Sequence, residues 1–157
     1  MTLSAKMWRL VLLIVSATTL GGCSYVYDLL AVARDGELTF IVSNESPSDP
    51  SCFRQIEVVS VDRIPVKPAP GDDSTRTGYG TVWRDEVKYE DDCDNKFPAV
   101  YGRGLKGNQR PDHGLVQPKP LAQNIVYEIN TVSGATGYGS GRFLIRDDGR
   151  VQNLPAL

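Results

Sequence analysis

Residues 24–157 break into short runs rich in Val, Ile, Thr, Tyr and Phe, with Gly, Pro, Asn and Asp gathered between them. Branched and aromatic side chains suit a pleated, half-buried surface, and turn residues at this frequency leave little room for long helices. The clearest piece is residues 29–34, Asp35-Gly36, then residues 37–42. Two apolar runs joined by Asp-Gly predict a hairpin with a type I′ turn, because both turn residues tolerate positive φ. That pairing puts Ala31 and Ala33 on the face of Leu38 and Phe40. The spacing of Val26, Leu29, Leu30 and Ala33 also fits a helix, but the hairpin is the expectation.

Further strands are expected over residues 53–62, 80–89, 124–132, 142–146 and, after Asp148-Gly149, 151–154. In 80–89, Trp83, Val87 and Tyr89 alternate with Arg84, Glu86 and Lys88; Asp85 breaks the apolar face and belongs near a sheet edge. Ile125, Tyr127 and Ile129 would point inward together, as would Phe143 and Ile145. Residues 44–51 read as a loop, 64–77 as an extended solvated connection, and 134–141 as a glycine-rich turn. Some seven short strands predict an all-β domain: a single antiparallel β-sandwich of immunoglobulin-like type, with a small barrel as the alternative. Leu121 and Tyr127, six apart, resemble the tyrosine corner of fibronectin-type and other immunoglobulin-like domains. Ala122 to Asn124 depart from the Pro or Gly usual there, and Trp83 lies nearer Cys93 than the immunoglobulin pattern has it.

The N-terminus has a different character. Lys6 and Arg9 precede an apolar run over residues 10–20, followed by Gly21, Gly22 and Cys23. This is the layout of a secretory signal. Eleven apolar residues are too few to cross a hydrocarbon core of about 30 Å, which takes roughly 20. Leu20-Gly21-Gly22-Cys23 resembles the lipobox of bacterial lipoproteins, with Gly21 where Ala or Ser is commoner. The resemblance implies cleavage before Cys23, a diacylglyceryl thioether on its sulfur, and further acylation by a fatty acid such as palmitate. Ser24 resembles the signal for transfer to the outer membrane. The expected organisation is a signal peptide over 1–22 and a lipid-anchored domain over 23–157, facing the periplasm. Few residues separate Cys23 from the first element near Val26, so the domain should sit close to its membrane.

Removing Lys6 and Arg9 from the 17 basic residues leaves 15 against 19 acidic ones, a net charge of about −4. No basic field exists for nucleic acid. With Cys23 given to lipid, Cys52 and Cys93 remain as an even pair in an oxidising compartment, and a disulfide is expected. The cluster Glu90, Asp91, Asp92, Asp94 and Asn95 lacks the spacing of a calcium loop and reads as a solvated acidic turn. His113, the only histidine, has Asp112 beside it but no activated nucleophile. Residues 137–141 lack the Lys-Ser/Thr of a phosphate loop. Trp83, Tyr79, Tyr101 and Tyr138 are expected to fill core and rim rather than form a sugar platform. No catalytic, metal or cofactor residues are assigned.

Residues 101–120 carry four glycines, three prolines and little apolar content, and a stretch of that kind is usually functional or disordered. Arg103, Lys106, Arg110 and Lys119 face a single acidic residue there, Asp112. They are the candidate contacts for an acidic envelope partner, protein or polysaccharide. The expected function is a non-enzymatic binding or structural role in the bacterial envelope; the alternative is an envelope hydrolase with paired acidic residues.

Overall fold

A computed structural model describes residues 24–155 apart from 109. The expected signal segment and Cys23 lie outside the described residues. The strands are β1 (Tyr25–Arg34), β2 (Glu37–Val42), β3 (Gln55–Ser60), β4 (Thr81–Glu86), β5 (Ala99–Val100), β6 (Val126–Ser133), β7 (Gly137–Ile145) and β8 (Val151–Leu154). One short helix, α1 (Ser74–Gly78), and a 3-10 helix (Tyr89–Asp94) interrupt them. The order across the sheet is β4-β3-β6-β7-β1-β2-β5, with β8 also paired to β7.

The all-β class holds, and its form is nearer the small-barrel alternative: one sheet curled into a half-barrel. The reason is β1. Residues 25–28 run parallel to β7, whereas residues 29–34 pair antiparallel with β2. A single strand thus carries the sheet around the corner, and the parallel β1/β7 pair makes the sheet mixed. The β1–β2 hairpin forms as the Asp-Gly pair predicts, with Asp35 at φ 51° and Gly36 at φ 81° and Ala31 opposite Phe40.

Inside the curl lie Phe40, Phe143 and Tyr127 in ring contact, with Ile56, Val58, Ile129 and Trp83 around them. Phe97 closes one end, against Phe53 and Tyr27. Tyr127 accepts a hydrogen bond from the Ala122 N–H at 3.0 Å, so the corner bond forms without a proline. Cys52 and Cys93 are joined in a disulfide, tying the approach to β3 to the 3-10 helix that follows β4.

The segment expected to be a glycine-rich turn is instead largely strand: β7 begins at Gly137. Its alternate glycines face inward, where β1 lays its large side chains. A Cβ on Gly139 would sit 2.0 Å from the Tyr27 ring and 2.4 Å from Thr131 Oγ1; one on Gly137 would sit 2.4 Å from the Tyr25 ring. Tyr27 crosses the space above Gly139, and its hydroxyl bonds Thr131 Oγ1 and Ser133 Oγ on β6, each at 2.7 Å. Beyond Gly141, β8 replaces β1 beside β7. Asn153 bridges the two, accepting from the Ala31 N–H at 2.8 Å and donating to the Ala31 carbonyl at 2.9 Å.

Candidate functional site

The described residues of 101–120 form a strap across the edge of β4. An exposed edge strand is a template for unwanted pairing, and covering it removes the hazard. Arg84 and Val116 exchange two backbone hydrogen bonds of 2.9 Å, and the Lys119 N–H donates to the Val82 carbonyl at 2.8 Å. Below them the Arg110 guanidinium donates to the Glu86 carbonyl at 3.3 Å. The carbonyls of Val82, Arg84 and Glu86 on the edge are thereby met.

Carboxylates and one amide hold the strap. Asp85 accepts from the Leu105 N–H at 2.7 Å and from Arg110 Nη1 at 2.7 Å. Its place in the edge strand agrees with the reading of Asp85 as an edge residue. Asp72 accepts from the Gln117 N–H at 2.7 Å, from the Ala69 N–H at 2.6 Å, and from the Lys119 ammonium. Burial opposes the charged form of Asp72, but Lys119 and the two amide donors outweigh it and hold its pKa below the ordinary carboxylate value. Asn95 clasps Lys106 at both ends, accepting from its N–H at 2.7 Å and donating to its carbonyl at 2.9 Å. Tyr101 packs edge-on against Trp83 and donates to the Lys119 carbonyl at 2.6 Å; burial pushes its phenol pKa up.

The four basic residues expected to meet a partner therefore divide. Lys119 and Arg110 are engaged inside the fold, in ion pairs with Asp72 and Asp85. Arg103 makes an exposed pair with Glu37 at 3.2 Å, and Lys106 is exposed. Lys106 and Arg103 line a shallow groove of about 400 Å³, with Lys96 beside them and Leu105 and Trp83 deeper in. Asp94 is the acidic residue on its wall. Lys96 was not singled out by the sequence, because only the clasp between Asn95 and Lys106 brings it there.

His113 lines a smaller pocket of about 140 Å³ with Asp72, Asp73 and Asp112. Asp72 is saturated with donors, and Asp73 caps α1 through bonds from the Thr75 and Arg76 N–H groups at 2.9 and 3.2 Å. These two carboxylates serve the fold. A substrate pocket is usually a few hundred Å³ or more, with carboxyls free to exchange protons. Among the described residues no three His, Cys, Asp or Glu side chains converge as a metal site, and no helix is long and apolar enough to cross a membrane. Asp91 accepts from the Asn108 N–H at 2.9 Å, so part of the acidic cluster also braces the strap. Trp83 and Tyr101 belong to the interior, while Tyr79 and Tyr138 are exposed at opposite ends of the sheet.

Compared with known proteins, the chain matches no family model, no curated protein and no solved structure.

Proposed function

We propose that the chain is a bacterial envelope lipoprotein, anchored through an acylated Cys23 and facing the periplasm from the outer membrane. Its domain serves as a non-catalytic module that holds an acidic envelope component. The observation that carries the anchor is Leu20-Gly21-Gly22-Cys23 at the end of an apolar run too short to span a bilayer. The start of β1 at Tyr25 supports it, since a domain beginning there needs no long tether. Lys96, Arg103 and Lys106 around one groove support the choice of an acidic partner on a domain whose own net charge is negative.

Crosslinking in intact cells, followed by affinity purification, tests this. The wild-type protein should carry a fatty acid and retain a crosslinked partner. Cys23→Ala should lose the fatty acid and the membrane fraction. Lys106→Glu combined with Arg103→Glu should keep the membrane fraction and lose the partner. A partner retained unchanged by the double variant would remove the groove from the account.

A further inference from the structure

We propose that the outward face at the start of β1 and β7 rests on the bilayer, in the interfacial layer of the membrane that holds Cys23. This rests on the anchor reading above. Val26 and Tyr138 are 60% and 50% exposed, and Tyr25 beside them is 37% exposed. Val26 and Tyr138 make the outward patch, side by side in the parallel register, while Tyr25 lies over Gly137 on the opposite face, at the rim.

The two segments carry no charge of their own: residues 24–27 and 133–141 contain no Asp, Glu, Lys or Arg, in a chain where 23% of residues are charged, and Asp28 and Arg54 stand at their border. These two segments are locked together, because the Tyr25 N–H donates to the Thr136 carbonyl at 3.1 Å. The patch is thus a fixed surface.

Its distance from the anchor decides what it meets. Two residue steps lead from the Cα of Cys23 to that of Tyr25 and three to that of Val26, spans of at most about 7 and 11 Å. A thioether at Cys23 would hold its sulfur at the headgroup level, so these side chains cannot be far from lipid. Tyrosine, with an apolar ring and a polar hydroxyl, is enriched at that depth in membrane proteins. Tyr79 is as exposed but sits beyond the other end of the sheet, past β6, whose eight residues span about 24 Å. It therefore serves as an internal control.

The test uses the mature, acylated full-length protein in phosphatidylcholine vesicles whose lipids carry bromine near the headgroup. Tyr138→Trp and Val26→Trp should each lose tryptophan emission relative to vesicles without bromine, and Tyr79→Trp should not. Trp83 is buried and common to all three. Both outward positions are exposed, so either variant alone is sufficient should the other fail to fold. If vesicle-bound protein shows no quenching at either position, the face is not on the membrane although the anchor is. If the emission is also shielded from aqueous iodide, a second copy of the chain covers the patch, and the proposal is overturned. Protein that fails to float with the vesicles would defeat the anchor reading and this inference together.

Discussion

Two regions of the sheet, the β1/β7 seam within it and its β4 flank, are held by different physics. At the β1/β7 seam the fit is steric: glycines 137, 139 and 141 remove side chains so that Tyr25, Tyr27 and the Leu29 backbone can approach. At the β4 flank it is polar: Asp72, Asp85 and Asn95 reach for backbone N–H groups and cations of a strap with little regular structure of its own. An added methyl at the seam would have to displace Tyr27 or the Leu29 backbone, whereas the β4 flank leans on its carboxylates. Close packing punishes one misplaced methyl, whereas a polar network fails by leaving a buried donor without a partner.

The largest effect should come from the disulfide, which fastens the β4 side. Replacing both Cys52 and Cys93 with Ala frees a separation of 41 residues and should cost about 4 kcal/mol on the chain-entropy model. Urea denaturation of the two proteins measures it; a cost near zero would mean that the strap side is held by its carboxylates alone. Next comes Gly139→Val on the β7 side, expected to cost about 3 kcal/mol by overpacking against Tyr27. The same substitution at Gly149, where a Cβ would meet nothing, isolates backbone strain from crowding.

On the polar flank, Asp85→Ala should cost about 2 kcal/mol, because the Leu105 N–H and the Arg110 guanidinium lose their acceptor. Hydrogen exchange should then quicken at Leu105 and leave Tyr27 protected, which is the sharpest way to separate the two regions. Asp72 adds a pH dependence. Its folded pKa is lowered, so the stability it contributes is complete above the ordinary carboxylate value and is lost as pH falls below it. Asp72→Asn should flatten that acid limb in melts taken between neutral and strongly acidic pH. Smallest of all, Arg103→Ala removes an exposed pair with Glu37 and should change stability by less than about 0.5 kcal/mol.

What the sequence revealed was local. Asp35-Gly36 specifies its hairpin within two residues, Asp148-Gly149 marks the turn before β8, and setting Cys23 aside on the lipobox resemblance leaves Cys52 and Cys93 as the expected pair. What it concealed was spatial. The glycines of β7 resemble a turn because their purpose lies in Tyr25 and Tyr27, more than a hundred residues earlier. The parallel β1/β7 pair is hidden for the same reason, and without it a continuous curled sheet looks like a sandwich. The strap looks unstructured because its partners, Asp72 and Asp85, come from other segments and leave no periodic trace. Helix α1 was missed although Asp73-Ser74 is a fair capping signal; five residues are too short to show a helical period. Of the four basic residues singled out, Arg103 and Lys106 remain at a groove, and nothing in the spacing separated them from Arg110 and Lys119.

The proposed anchor at Cys23 decides what the face at Val26 and Tyr138 would meet. Intact mass measurement of the protein extracted from native membranes tests that anchor most directly. The account predicts a chain that starts at Cys23, lacks residues 1–22 and is heavier than its sequence by attached acyl groups. A mass matching the whole unmodified chain from Met1 would contradict it.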